Sequence, residues 1–401
     1  MAYNRYKHTK KTSMNRINGI NPLVLRWARE TLGLSIEQVV HKLSRKRITK
    51  ETVAEWERGE SAPDYIQLER LAYEIYRRPL AIFFFPKPPT EETPRQDFRT
   101  LPNSEIDNLS QRLRLLIRQA KSMQANLEEL YECANPAKRQ LLRDLSLDIV
   151  DPVAELASSV RQFLGITLET QLRWKNNEHA FKAWRSTLEQ HGVFVFKDAF
   201  KSEVISGFCL YDEHFPIIYV NNSRAITHQI FTLFHELAHL LSGTGGIDAP
   251  VERYIHQLRG RNRQIEVLCS RFAGAFLVPD DDFDGRVTEL PINEDDIKAL
   301  AANYKVSREV ILRRLLDRKL ISSDYYGQMI AKWRTMKPSK RDGGDYYNSK
   351  RAYLGERYLE LVFSRFYQRK ISIDQVADYL GVKVSSVPSM ERLLVPKEMV
   401  A

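Results

Sequence analysis

Apolar positions recur at helical spacing through the first third of the chain, and capping residues mark where each run begins. Asn21-Pro22 opens a first helix through Leu23, Trp27 and Leu32, and Gly33 ends it. Ser35-x-x-Gln38 has the form of a capping box and starts a second helix through Val39, Val40 and Leu43. A third begins near Thr49 and runs through Val53 and Trp56 to Gly59, and Pro63 introduces a fourth with Leu68, Leu71, Ala72 and Ile75 on one face. Leu80-Ala81-Ile82-Phe83-Phe84-Phe85 has no helical period and reads as an apolar plug packing against the next domain. A proline-rich connector, Pro86 to Pro89 and Pro94, is semi-rigid by composition. Residues 104 to 134 then form a long amphipathic helix with Leu113, Leu116, Ile117 and Ala120 at helical spacing, a packing or dimer helix, so a homodimer is among the expected arrangements.

From about residue 150 the period becomes mixed. Helices around 154–164 and 180–191 precede three apolar runs of strand length, 192–196, 204–211 and 216–220, which lead into the helical stretch Phe231 to Leu241. A second helix, opened by Glu266, is stopped by Pro279. An acidic loop, two short helices (297–301 and 306–315) that resemble a further helix-turn-helix and are expected to complete the fold more readily than to bind DNA, a linker at 337–344 and a last helical unit over 351–394 follow. The expected fold class is therefore multidomain: an all-α unit over 1–85, a linker and long helix over 86–149, an α+β domain over 150–335, and a small helical C-terminal unit over 345–401.

Composition narrows the setting. No apolar leader follows Met1 and no run approaches the ~18 residues a spanning helix needs, so a cytoplasmic protein without membrane contact is expected. Cys133, Cys209 and Cys269 are odd in number and far apart, which fits a reduced compartment and gives no sign of a structural zinc site. The net charge of +10 is placed unevenly: residues 1 to 50 hold 12 Lys and Arg against 2 Asp and Glu, and the remainder holds 49 of each. A basic segment leading into a compact helical unit is the electrostatic footprint of a nucleic-acid binder.

The chemistry is concentrated in His235-Glu236-Leu237-Ala238-His239. Residues i and i+4 share a helix face, so both imidazoles can reach one tetrahedral metal ion, and Glu236 beside them is placed to take a proton from an activated water. A hydrolytic site takes three protein ligands and keeps a position for water. The third is expected from Glu266 on the following helix, with Asp248, Glu252 and His256 as competitors from the polar stretch between. Ser270, one turn beyond Glu266, is placed to hydrogen-bond a group that lies behind the ligands. His228, seven residues before His235, lies on nearly the same face and is read as lining the cleft or as a satisfied surface histidine. The strand at 204–211 is the choice for an edge that pairs with an extended substrate.

Phe231-Thr232-Leu233, His235-Glu236-x-x-His239, and Glu266-x-x-Cys269-x-x-Phe272-Ala273 ending in Leu277-Val278-Pro279 together resemble the ImmA/IrrE family of metallopeptidases over residues 150 to 290. The resemblance implies a zincin-like fold, Zn2+ held by His235, His239 and Glu266, and Glu236 as catalytic base. Cys269 departs from the family's usual alanine.

The N-terminal helices, with Glu57-Arg58-Gly59 and the proline after them, resemble the XRE (lambda-repressor-like) helix-turn-helix family. That resemblance implies that Thr49, Lys50, Glu51, Thr52 and Glu55 face the major groove of duplex DNA. The turn Ser44-Arg45-Lys46-Arg47-Ile48 lacks the usual glycine. Asp97 to Pro102 is similar to a segment found at the junction of such fusions. The two resemblances imply a DNA-binding regulator with zinc-dependent endopeptidase activity, acting on an operator and on a protein substrate such as a repressor or toxin in a stress, phage or toxin-antitoxin switch. The alternative is a repressor or antitoxin that binds a partner and carries a structural or silent metal site.

Overall fold

The computed structural model describes residues 19–44, 47–91, 98, 106–202, 204–248, 260–287, 292–335 and 345–394. Arg45 and Lys46 of the basic turn, most of the N-terminal arm, Pro94, most of the 97–102 segment, Glu252, His256 and the 337–344 linker lie outside them. The chain divides into two compact units, 1–93 with 107–115 and 94–106 with 116–401.

The first unit is helical. Asn21 caps α1 (Pro22–Thr31) by accepting from the Leu23 N–H, and reciprocal capping boxes start α2 (Ile36–Leu43) at Ser35 and α3 (Lys50–Arg58) at Thr49. Asp64 caps α4 (Tyr65–Glu69), which continues as a π-helical turn over Arg70–Tyr76. Val24, Leu25, Val39, Val53, Trp56, Leu68, Leu71 and Ile75 fill one core. The 80–85 run corrects its sequence reading: Leu80–Phe84 is a 3-10 helix whose Phe83 is buried in this unit's own core, 6.1 Å from the Tyr76 ring.

The long helix α5 (Gln111–Leu130) belongs to the first unit as far as Leu115 and to the second beyond it. The second unit continues with α6 (Leu141–Asp144), α7 (Val153–Leu164), α8 (Leu168–Leu172) and α9 (Asn177–Gln190). Next come β1 (Phe194–Asp198), β2 (Gly207–Leu210), β3 (Ile217–Asn221), α10 (Ile226–Leu241), β4 (Gly246–Asp248) and α11 (Gly260–Leu277). Helices α12 (Asp280–Arg286), α13 (Glu294–Tyr304), α14 (Arg308–Asp317) and α15 (Ser323–Arg334) follow, then α16 (Tyr346–Leu354), α17 (Glu356–Tyr367), α18 (Ile373–Leu380) and α19 (Val387–Glu391).

Four strands pair in the order β1-β3-β2-β4, with β1 parallel to β3 and β2 antiparallel to both its neighbours. Two sequence readings change here. The strand chosen as an edge, β2, is internal, and the edge beside it is β4, a three-residue strand that ends at Asp248 in what reads from sequence as the polar stretch between the two helices. The acidic stretch after Pro279 is α12, because three aspartates in its first turn favour a helix start.

One face of the sheet carries α10, and α11 packs on α10 through Phe234 and Phe276, whose rings stack at 4.1 Å with Trp184 edge-on to Phe234 at 4.9 Å. The opposite face is aromatic: Phe208 stacks on Tyr219 at 5.3 Å, Phe98 meets Phe208 edge-on at 6.0 Å, and Tyr358 of α17 meets Phe196 at 5.4 Å. Helices α13 and α14 bury Ile297, Tyr304, Ile311 and Leu315 in the same core as α10, so they complete this fold. Arg185 fastens α16 to β1 by donating to the carbonyls of Val195, Ala352 (2.8 Å) and Tyr353 (3.3 Å). No helix of the described residues is long and apolar enough to cross a membrane.

Candidate metal centre

Helix α10 is buried on nearly all sides from Gln229 to Leu241, so any polar side chain it carries there must find a partner inside the protein. His235, one turn before His239, and Glu266 at the level of both on α11 meet that requirement together. The Nε2 atoms of the two histidines are 3.3 Å apart, and Glu266 places Oε1 3.5 Å from His239 Nε2 and Oε2 3.7 Å from His235 Nε2. For metal–ligand bonds of about 2.0–2.1 Å, donors at tetrahedral corners stand about 3.3–3.4 Å apart. Three facing donors at these separations fit a metal ion, and this trio is the group the described residues offer for one.

The electrostatics point the same way. Burial pushes the Glu266 carboxyl up, but the neighbouring imidazoles outweigh it and hold it well below the usual carboxylate range. Burial opposes charge on His239, and Cys269 and Glu266 outweigh that in turn, holding its pKa well above the usual imidazole range. A carboxylate facing two imidazoles in a dry site calls for a positive charge, and a divalent cation in place of a proton satisfies both sides. Ser270, one turn beyond Glu266, lies with Oγ 3.4 Å from His235 Nδ1.

Glu236 is as buried as the ligands: His235 is 1% exposed, and Glu236, His239 and Glu266 are 0% exposed. Its carboxylate meets the Cys209 thiol on β2, and burial together with Glu236 pushes that thiol's pKa well up. Cys209 Sγ in turn accepts from the Gly246 N–H at 3.2 Å. Burial also raises the Cys269 thiol.

Sequence reasoning missed the residues that let the sheet lie this close. A β-carbon on Gly246 would stand 2.4 Å from His239 Cδ2, and one on Gly207 would stand 2.4 Å from Thr232 Cγ2 and 2.9 Å from the Tyr219 carbonyl oxygen. The alternation Gly207-Phe208-Cys209-Leu210, small toward the helix and large away from it, was the available signal.

The other predicted positions are accounted for separately. His228 is engaged by Ser206, whose Oγ lies 2.7 Å from its Nε2. Asp248 ends β4 opposite Gly207. In the first unit, Thr49 and Thr52 cap one another across the start of α3, and Glu51 accepts from its own N–H and from Thr49. Lys50 pairs with Glu37 at 2.7 Å, and Glu55 accepts from Ser61 at 3.2 Å.

No curated protein matches the chain. Residues 188–316, which run from the end of α9 through the sheet, α10 and α11 to α14 and contain all four side chains of the centre, match the Peptidase M78 family model, the IrrE N-terminal-like domain, and this supports a metallopeptidase domain there.

Proposed function

We propose that the second unit is a zincin-like, zinc-dependent endopeptidase and that the first is a helix-turn-helix DNA-binding unit, so that the chain is a cytoplasmic regulator. The observation that carries the peptidase reading is the buried convergence of His235, His239 and Glu266 with Glu236 beside them. Two nitrogens and one carboxylate oxygen are the donor set that suits zinc, with one coordination position left over. When bound, zinc supplies a Lewis acid that polarises a scissile carbonyl and lowers the pKa of water to about 7. Glu236 takes the proton of the attacking water and returns it to the leaving amine. Strand β4, the edge of the sheet among the described residues, would pair with an extended segment of a protein substrate such as a repressor or toxin.

The DNA reading rests on the capped helices α2 and α3 and on the basic excess of residues 1 to 50. Burial of the whole centre favours a second reading, a repressor or antitoxin that binds its partner while the metal site stays silent.

Two variants separate these readings. Glu236→Gln keeps zinc and fold and lowers cleavage of a co-encoded partner by about 10²–10⁴-fold, whereas Glu266→Ala loses zinc itself. Cleavage by Glu236→Gln at the parent rate would refute the assigned base, and a partner bound tightly but never cut would establish the silent-site reading.

A further inference from the structure

Helix α11 delivers more to the centre than Glu266. Serine inside a helix ordinarily turns its hydroxyl back to the carbonyl four residues earlier, and other serines of this chain do so. Ser122 reaches Arg118 O at 3.2 Å, Ser159 reaches Glu155 O at 2.9 Å and Ser242 reaches Ala238 O at 2.9 Å. Ser270 is mid-helix like Ser122 and Ser159, yet its hydroxyl is turned to His235 Nδ1 at 3.4 Å. Ser186 and Ser364 meet a glutamine one turn on in their own helices instead, whereas the partner of Ser270 is the imidazole on the facing helix.

We infer that Ser270 is a positioning residue for His235: it holds the Nδ1–H tautomer and the ring plane, so that Nε2 faces His239 and Glu266. Neutral imidazole has one lone-pair nitrogen, and a metal ligand must present it inward while its other nitrogen donates to an oxygen behind. The Ser270 oxygen is that acceptor. Glu266 and Ser270 are four residues apart and therefore on one face of α11, so a single helix supplies one ligand directly and sets the orientation of another. Thr232 and Glu236, by contrast, belong to the side of α10 that meets Gly207, so the base and the oriented ligand are supported by different elements.

This inference rests on the reading of His235, His239 and Glu266 as a metal centre, and the test separates the two. Zinc ion is titrated into the metal-free full chain against a competing chelator for the parent, Ser270→Ala and Ser270→Thr, alongside thermal unfolding of each metal-free protein. The parent should bind one zinc, Ser270→Ala should bind it about 10–100-fold more weakly, and Ser270→Thr should recover most of the loss. Metal-free transitions should coincide, because the hydroxyl acts on ligand orientation and not on packing. The imidazole 15N shifts of the loaded parent should report Nδ1–H for His235, and Ser270→Ala should show mixed tautomers. Equal affinity in the parent and Ser270→Ala overturns the inference, as does a loss that Ser270→Thr does not recover. If the parent itself binds no zinc, the metal-centre reading fails first.

Discussion

Lys50 sits at the first position of α3, and its 2.7 Å contact with Glu37 joins that helix to α2 at a surface both residues leave exposed. The hydrogen bond from Lys50 is the largest of the influences that bring Glu37 down to about 2, with its own backbone N–H and Ser35 adding to it. A depressed carboxyl contributes stability above its unfolded pKa and loses it as pH falls through the folded value, so this pair weakens between about pH 4.3 and pH 2. Lys50→Ala should therefore move the Glu37 carboxyl resonance midpoint up toward the ordinary value, read by NMR titration, and an unchanged midpoint would remove Lys50 as the cause. At this scale the metal-centre positions were legible, because His235, Glu236 and His239 lie about one helical turn apart and Glu266 heads the apolar run that follows, although its helix, α11, begins earlier, at Gly260, than the sequence reading placed it. The orientation of Ser270 was legible only as a direction, since helix spacing says which face it shares and not what faces it. The mutual capping of Thr49 and Thr52 was not part of the resemblance, which concerns what these positions would contact on DNA.

Among elements, the sheet was the least legible. Strand β4 is three residues long and begins at a glycine, so neither alternation nor β-branched content announced it. Register decides which side chains of β2 face α10, and register follows from pairing that no single run of sequence contains. The need for glycine at 246 is a statement about this pairing. Gly246→Ala should push β4 off His239 or tilt the imbalance into the ring, destabilising the fold by about 1–3 kcal/mol, the usual cost of overpacking. Chemical denaturation with a zinc assay would show both the lower midpoint and a weakened metal affinity; parent values for both would mean that the helix yields without cost. Helix α12 was misread for a different reason: a run of aspartates looks like loop until its position directly after Pro279 is taken as the start of a helix.

For the whole molecule, charge and fold divide the DNA proposal unevenly. Helix α3 carries Lys50 and Arg58 against Glu51, Glu55 and Glu57, the last paired with Arg29 at 2.6 Å, so the helix itself brings no net positive charge. The excess lies in the sequence before it, in Arg5, Lys7, Lys10, Lys11 and Arg16, and around Lys42 to Lys50. Binding of the full chain to promoter DNA of its own operon should fall steeply with salt, with a log–log slope of roughly −0.9 per phosphate contacted. Neutralising the five N-terminal cations should flatten that slope without changing which sequence is preferred, and changing Lys50 or Thr52 should do the reverse. Salt-independent binding, or none, would leave the first unit as a docking module for protein. The change of period near residue 150 lies inside the second unit, whose division from the first falls at residues 93 and 107–115, and the fastening of α16 to β1 by Arg185 depends on backbone carbonyls that the sequence does not display.

With the four side chains of the proposed centre at near-zero exposure, a substrate or a chelator is expected to reach them only when the site opens. A substrate that must wait for the site to become accessible meets only the fraction of molecules that are open, and its apparent affinity is reduced by that fraction. The same opening governs the exit of the metal. Stripping of bound zinc by a small chelator should quicken with chelator concentration only up to a ceiling, which is the opening rate of the protein, and stay there however much chelator is added. A rate that climbed in proportion to chelator throughout would mean that the centre is permanently accessible. The height of the ceiling, followed as DNA or a candidate partner is added, would then reveal whether either of them changes access to the centre.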